Sequence, residues 1–198
     1  MAVSSKWRVA IDTHRRPGRA LCYGRRSIPS ESRPTMQDSA VSSSLNAVLS
    51  AKSRWQAPEI ETFLDASRLP LRVSSIDTEG FPHITSLWFL YRDGRFYCCT
   101  QRQAQVCQHL RHNPRVGIEL AVNAPPYQGV SGTGTAQVLA AGAAELLDTL
   151  IDRYLEGRDP RLGQWLRSRV ASEVVLEITP QRLTSWDFSR RMSAPSRA

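Results

Sequence analysis

Side chains able to do chemistry are few in this chain and stand far apart. The four cysteines are Cys22, Cys98, Cys99 and Cys107. None forms a C-x-x-C pair, so zinc binding and thioredoxin-like exchange find no support. Cys98 and Cys99 are adjacent on a predicted strand and should point to opposite faces. We read them as small buried apolar residues of a reducing compartment rather than a redox pair. His109 and His112 are three apart on a predicted helix and could share a ligand. With no carboxylate or third histidine close in sequence, an exposed helix face is the expectation for both. No nucleophile–base–acid set emerges, and no metal cluster. Gly129, Gly132 and Gly134 precede no helix and so form no dinucleotide fingerprint. An enzyme built from these residues would leave the hard chemistry to a cofactor, which the protein would orient and shield from water.

The elements that would do this positioning are legible. Pro58-Glu59-Ile60-Glu61 opens a helix, with proline early and acids in the first turn. A β-type segment follows at Leu71–Asp77, and Thr78-Glu79-Gly80-Phe81-Pro82 is turn chemistry. His83–Tyr91 is rich in β-formers, Asp93-Gly94 signals a tight hairpin, and Arg95–Thr100 returns as a third strand. Arg102–His112 reads as a helix closed by Pro114, followed by an alternating strand over Arg115–Val122. Tyr127–Leu139 is a long strand whose glycines predict bends or a bulge. From Ala141 onward, Leu146, Leu147, Leu150, Ile151, Tyr154 and Leu155 recur at helical spacing, and Gly157 with Pro160 ends that helix. Leu162, Trp165 and Leu166 predict a second short helix. Glu173–Thr179 is a strand, Pro180 interrupts it, and Leu183–Phe188 can form a further one. This order permits few parallel crossovers. It predicts an α+β, mainly β fold: an antiparallel barrel with helices at its openings.

Composition narrows the classes of function. The 198 residues are 41% hydrophobic, enough to bury a core. No apolar run approaches the roughly 18 residues of a membrane helix. The formal charge is +8, from 26 basic and 18 acidic residues. Residues 1–35 alone hold eight basic residues against two acidic ones. They also lack lasting periodicity, so residues 1–50 read as a disordered basic arm, 51–190 as the folded domain and 191–198 as a tail. The arm could contact nucleic acid or an anionic membrane, could be a transit peptide, or could be an extension without tuned function, with Met36 as initiator. The last is preferred, and nucleic acid is not the expected partner of the domain.

The stretch GFPHITSLWFLYRDGRFYCCT, followed by LRHNPRVGIEL, VSGTGTAQV and VVLEITPQRLTSWDF, resembles the pyridoxamine 5'-phosphate oxidase-like, FMN-binding split β-barrel superfamily. The likeness spans roughly residues 57–189. It implies an antiparallel six-stranded split β-barrel with flanking helices that forms a homodimer, with a flavin in a cleft between protomers. The ring system would rest against Ser86, Leu87 and Trp88. The phosphate would meet Thr100 and the start of the helix near Arg102, where free N–H groups and the helix dipole attract an anion.

The sequence departs from the family where charge matters. Thr85 stands where the oxidase pattern has an arginine. Ala104-Gln105-Val106 stands where it has Ser-Arg-Lys. Gly129 stands where many members have a flavin-contacting glutamine, although Gln128 is adjacent. Charge-assisted contacts are roughly twice as strong as neutral ones, so these losses ask for compensation. Arg102 is the nearest replacement, with Gln103, Gln105 and Thr100 as neutral donors. Its alternative role is a solvated helix-start residue, and that of Trp88 is a barrel-core residue. The resemblance implies a cytoplasmic flavin-dependent oxidoreductase that transfers hydride to a small organic substrate. FMN is the expected cofactor, with a deazaflavin as a close variant. The alternative is a non-enzymatic split-barrel protein that binds another ligand, such as haem, or serves as a dimeric interaction module.

Overall fold

A computed structural model describes residues 45–193. Helix α1 (Ala57–Ala66) leads into strands β1 (Leu71–Ile76), β2 (Pro82–Leu87), β3 (Phe89–Arg92) and β4 (Arg95–Gln101). Helix α2 (Gln105–His112), β5 (Arg115–Ala121) and β6 (Gln128–Leu139) follow. Then come α3 (Ala143–Leu155), α4 (Pro160–Ser168), β7 (Glu173–Asp187) and the short α5 (Ser189–Met192). The strands form one antiparallel sheet in the order β2-β1-β5-β6-β7-β4-β3.

Local chemistry explains the elements. Gln56 and Glu59 form a capping box at the start of α1, with the Gln56 N–H donating to Glu59 Oε2 at 2.9 Å. In the β1–β2 turn the Asp77 carboxylate accepts from the N–H groups of Glu79 and Phe81, both at 2.9 Å. The β3–β4 hairpin turns on Asp93 and Gly94, with φ of 51° and 76°, as the Asp-Gly signal requires. Strand alternation places Leu71 and Val73, Val116, Ile118 and Leu120, and Phe96 and Cys98 on one inner face. Val106 and Leu110 of α2 and Ile60 and Leu64 of α1 complete the core.

Several expectations need correction. The single strand expected over His83–Tyr91 is two strands, and the two expected over Glu173–Phe188 are one, so among the described residues the sheet has seven strands rather than the six that the resemblance implies. β2 and β3 lie at opposite ends of the strand order yet are separated in the chain by Trp88 alone. The sheet therefore curls until its two ends meet at that residue. Pro180 does not interrupt the last strand. β4 pairs with β7 only as far as Ile178, so Pro180 lies beyond that partner, where a missing N–H leaves no ladder bond unmade. The β6–β7 register shifts there, between Thr133 and Gly134, which is the bulge the glycines predict. The helix expected from Arg102 begins at Gln105, because residues 102–104 form a turn whose Ala104 N–H bonds the Gln101 carbonyl at 2.9 Å. Of the residues read as arm, 1–44 lie outside the described residues, as does Cys22. Leu45 is fully buried, and Leu49 bridges Leu183 of β7. Residues 194–198 also lie outside the described residues.

Candidate functional site

A cleft of about 420 Å³ opens where β2 passes into β3. Its floor is Ser86, Leu87 and Trp88, continued by Cys99, Thr100 and Gln101 at the end of β4. Leu147 and Leu150 of α3, with Leu162, Trp165 and Leu166 of α4, make an apolar wall. Arg169 and Glu173 complete the lining. Such a volume, mostly apolar with a few convergent polar groups, is typical of a small-molecule site.

The wall is held rigidly. Tyr154 of α3 stacks on Trp88 with ring centroids 5.0 Å apart and planes 8° apart. Its hydroxyl accepts from the Phe89 N–H and donates to the Leu69 carbonyl, both at 3.2 Å. The neighbouring Arg153 donates to the carbonyls of Leu64, Asp65 and Ser67 at 2.7–3.0 Å, capping the end of α1. Helix α4 begins on Asp159, whose carboxylate accepts from the Leu162 N–H at 3.0 Å. It approaches α3 closely through Gly163, and Arg167 bonds Asp148 of α3 at 2.6 Å.

Four of the residues expected to bind a cofactor, Ser86, Leu87, Trp88 and Thr100, come together in this cleft. Thr85, Arg102, Gln103 and Gln105 do not line it. Thr85 is half-buried within β2, while Gln103 and Gln105 are exposed at the β4–α2 turn. Arg102 is exposed there too, its N–H bonded to the Ser172 carbonyl at 2.8 Å. Its own carbonyl accepts from Arg111 Nη2 at 3.5 Å, which brings a second guanidinium to the same turn. Val106, at the family's lysine position, is 2% exposed and belongs to the core. Gln128 is engaged with Ser189 at 3.1 Å.

Sequence reasoning missed Arg111, Trp165, Arg169 and Glu173. The available signal was the four-residue spacing of Trp165 and Arg169, which puts them on one helix face. Arg169 lies over the Trp165 ring, 4.5 Å from its centroid. Burial raises the pKa of Glu173, opposed by Arg169 and by a hydrogen bond to Gln101.

The cysteines point to opposite faces, as adjacency dictates. Cys98 is fully buried inside, and Cys99 faces the cleft with its thiol 3.6 Å from the Ala143 carbonyl. Burial pushes the Cys99 thiol up to about 12, so it is no nucleophile near neutral pH. His109 is not on an exposed face. It is half-buried, its Nδ1 2.9 Å from the buried Ser75 hydroxyl and its ring 4.7 Å from that of His83. His83 in turn meets Asp77 at 2.8 Å, while His112 is exposed. Among the described residues no group of three or more histidine, cysteine or acidic side chains could hold a metal ion.

The family model for pyridoxamine 5'-phosphate oxidase matches residues 57–187. The chain belongs to this family. Similar solved structures include a conserved hypothetical protein, Rv2991, from Mycobacterium tuberculosis. It is 23% identical, with a TM-score of 0.62, over 76% of this chain and 95% of that one. An F420 reductase is 18% identical with a TM-score of 0.52, over 63% of this chain and 94% of that one. HutZ, the haem storage protein from Vibrio cholerae, is 18% identical with a TM-score of 0.51, over 64% and 91% respectively. At these identities the likeness establishes the split-barrel fold alone. No curated protein matches the chain. Among the described residues no helix is long and apolar enough to cross a membrane.

Proposed function

We propose that this member of the pyridoxamine 5'-phosphate oxidase family is a flavin-binding oxidoreductase acting on a small organic substrate, with FMN as its cofactor and a homodimer as its working form. The observation that carries the reading is the cleft, which gathers Ser86, Leu87, Trp88 and Thr100 beside an apolar wall. A flat conjugated ring suits that wall. The phosphate also finds cations, though at positions other than the family's. Arg111 Nη2 donates to the Arg102 carbonyl at the β4–α2 turn, and on this reading the two arginines take the place of the lysine that Val106 cannot supply.

A bound flavin would supply a two-electron hydride centre. The chain's own residues would then bind, orient and exclude water. Trp88, fixed by its stack on Tyr154, sets the plane against which a ring lies. Leu147, Leu150, Leu162 and Leu166 keep the cleft dry. Thr100 offers a hydroxyl toward the phosphate side. Cys99 stays protonated and takes no part in proton transfer.

One absorption spectrum of protein purified without added ligand tests this reading, together with a titration by FMN. Flavin bands, or an FMN-dependent rise in Tm, are expected. Arg102→Gln should weaken FMN binding by about tenfold, the worth of one hydrogen bond to a charged group. Colourless protein whose Tm ignores FMN would sink the proposal. A second reading, a non-enzymatic barrel holding another ligand such as haem or a deazaflavin, is favoured by the burial of Val106 where a cation is expected. The same spectrum separates these ligands.

A further inference from the structure

Among the described residues Arg169 is the one cation lining the cleft, and its situation is unusual. It is half-buried, immediately beyond the last residue of α4. Its guanidinium stacks over Trp165 at 4.5 Å and feels the charge of nearby Glu173, but among the described residues it donates no hydrogen bond and forms no ion pair within 4 Å. Other arginines of the neighbourhood are engaged: Arg153 with three carbonyls, Arg167 with Asp148 and Asp152. A planar guanidinium has five N–H donors in a fixed fork that matches a carboxylate. In Arg169 that fork is oriented by an indole and left without a hydrogen-bond partner in the lining of an apolar cleft. Trp165 is 51% exposed and lines the same cleft. An aromatic surface and a cation whose N–H donors carry no hydrogen bond are thus presented together.

We propose that the α4 side of the cleft is a substrate subsite for a flat organic carboxylate, whose ring packs on Trp165, Leu162 and Leu166 and whose carboxylate takes the donors of Arg169. The inference rests on the proposed function for what happens to the bound anion, and it places that anion beside the surface of Ser86, Leu87 and Trp88 assigned to a flavin ring. It does not need the flavin for binding. Glu173, the one acid lining the cleft among the described residues, lies nearby. Burial raises its pKa, and the charge of Arg169 and a hydrogen bond to Gln101 oppose that shift. Selection for the anion comes from the partial desolvation of Arg169. A neutral isostere would cover its donors without supplying the charge that they need.

The test uses full-length protein and two probes, 2-naphthoate and its neutral isostere 2-naphthamide, titrated by calorimetry with and without FMN. The naphthoate should bind about ten- to a hundredfold more tightly, the range of a hydrogen-bonded charge pair. Arg169→Gln should erase that preference. Arg169→Lys, which keeps charge but loses the planar fork, should restore part of it. Arg161→Gln, an equal change of net charge on the exposed side of the same helix, should leave it intact. Circular dichroism and Tm establish that each variant is folded.

Equal affinity for the two probes, a preference that survives Arg169→Gln, or no naphthoate binding at all would overturn the subsite. Strict competition between naphthoate and FMN would overturn its placement beside the flavin. Protein that ignores FMN yet shows the Arg169-dependent preference would remove the flavin reading and leave the carboxylate subsite standing.

Discussion

At the residue scale, the cleft depends on side chains with no chemical role. Tyr154 is the clearest case. Its ring backs Trp88, and its hydroxyl serves the Phe89 N–H and the Leu69 carbonyl at once. Burial raises its pKa, so it remains a neutral donor and acceptor. Tyr154→Phe keeps the stack and removes only the bridge. Two backbone groups then lose a partner in a partly buried place, which costs about 1–3 kcal/mol. Tm should therefore fall by roughly 2–12 °C for a domain of this size. Cleft binding should weaken as well, because the same bond sets where β3 leaves Trp88. An unchanged Tm in thermal denaturation would show that water replaces the hydroxyl at no cost.

At the element scale, the bulged pairing of β6 with β7 shapes the barrel. A Cβ on Gly132 would collide with the Arg182 carbonyl oxygen and with the Leu183 side chain, and one on Gly134 with the Thr179 carbonyl oxygen. The two carbonyl oxygens are backbone atoms of a paired strand and cannot rotate away. Gly132→Ala should cost about 3 kcal/mol, the upper end of overpacking penalties, and lower Tm by roughly 6–12 °C. Gly117→Ala, whose Cβ would lie an ordinary 3.5 Å from Ser74, is the control and should change little. Similar losses for both variants would mean that generic strand propensity, not close approach, sets the cost. The same elements show what a sequence can disclose. Alternation in β1 and β5, the Asp93-Gly94 turn and the glycine-marked bulge were all readable, because each is a local rule. The break at Trp88 was not, since both flanking segments are β-prone and only the closing of the sheet divides them. The partnership of His109 with Ser75 was equally hidden, because it joins residues 34 apart. Half of the candidate site was legible through family motifs on β2 and β4. The α4 half was not, because Trp165 and Arg169 reach the cleft only through the packing of α4 on α3.

At the scale of the whole molecule, the charge total and the fold tell separate stories. Six of the eight excess positive charges belong to residues 1–35. The family domain is close to balanced, and its cations matter by position rather than by number. The fold's organising fact is its seam. Both ends of the sheet meet at Trp88, where β2 pairs only with β1 and β3 only with β4. The centre, β5-β6-β7, is paired on both sides. Trp88→Ala removes the stack on Tyr154 and loosens the corner that joins the two ends. The structure then predicts a graded response rather than uniform weakening. Amides of β2 and β3 should exchange with solvent well before those of β6 and β7, and cleft binding should be lost with them. Hydrogen exchange read by mass spectrometry checks this directly. A uniform rise in exchange across all seven strands would show that the sheet opens as one unit and that Trp88 has no special hold on the seam.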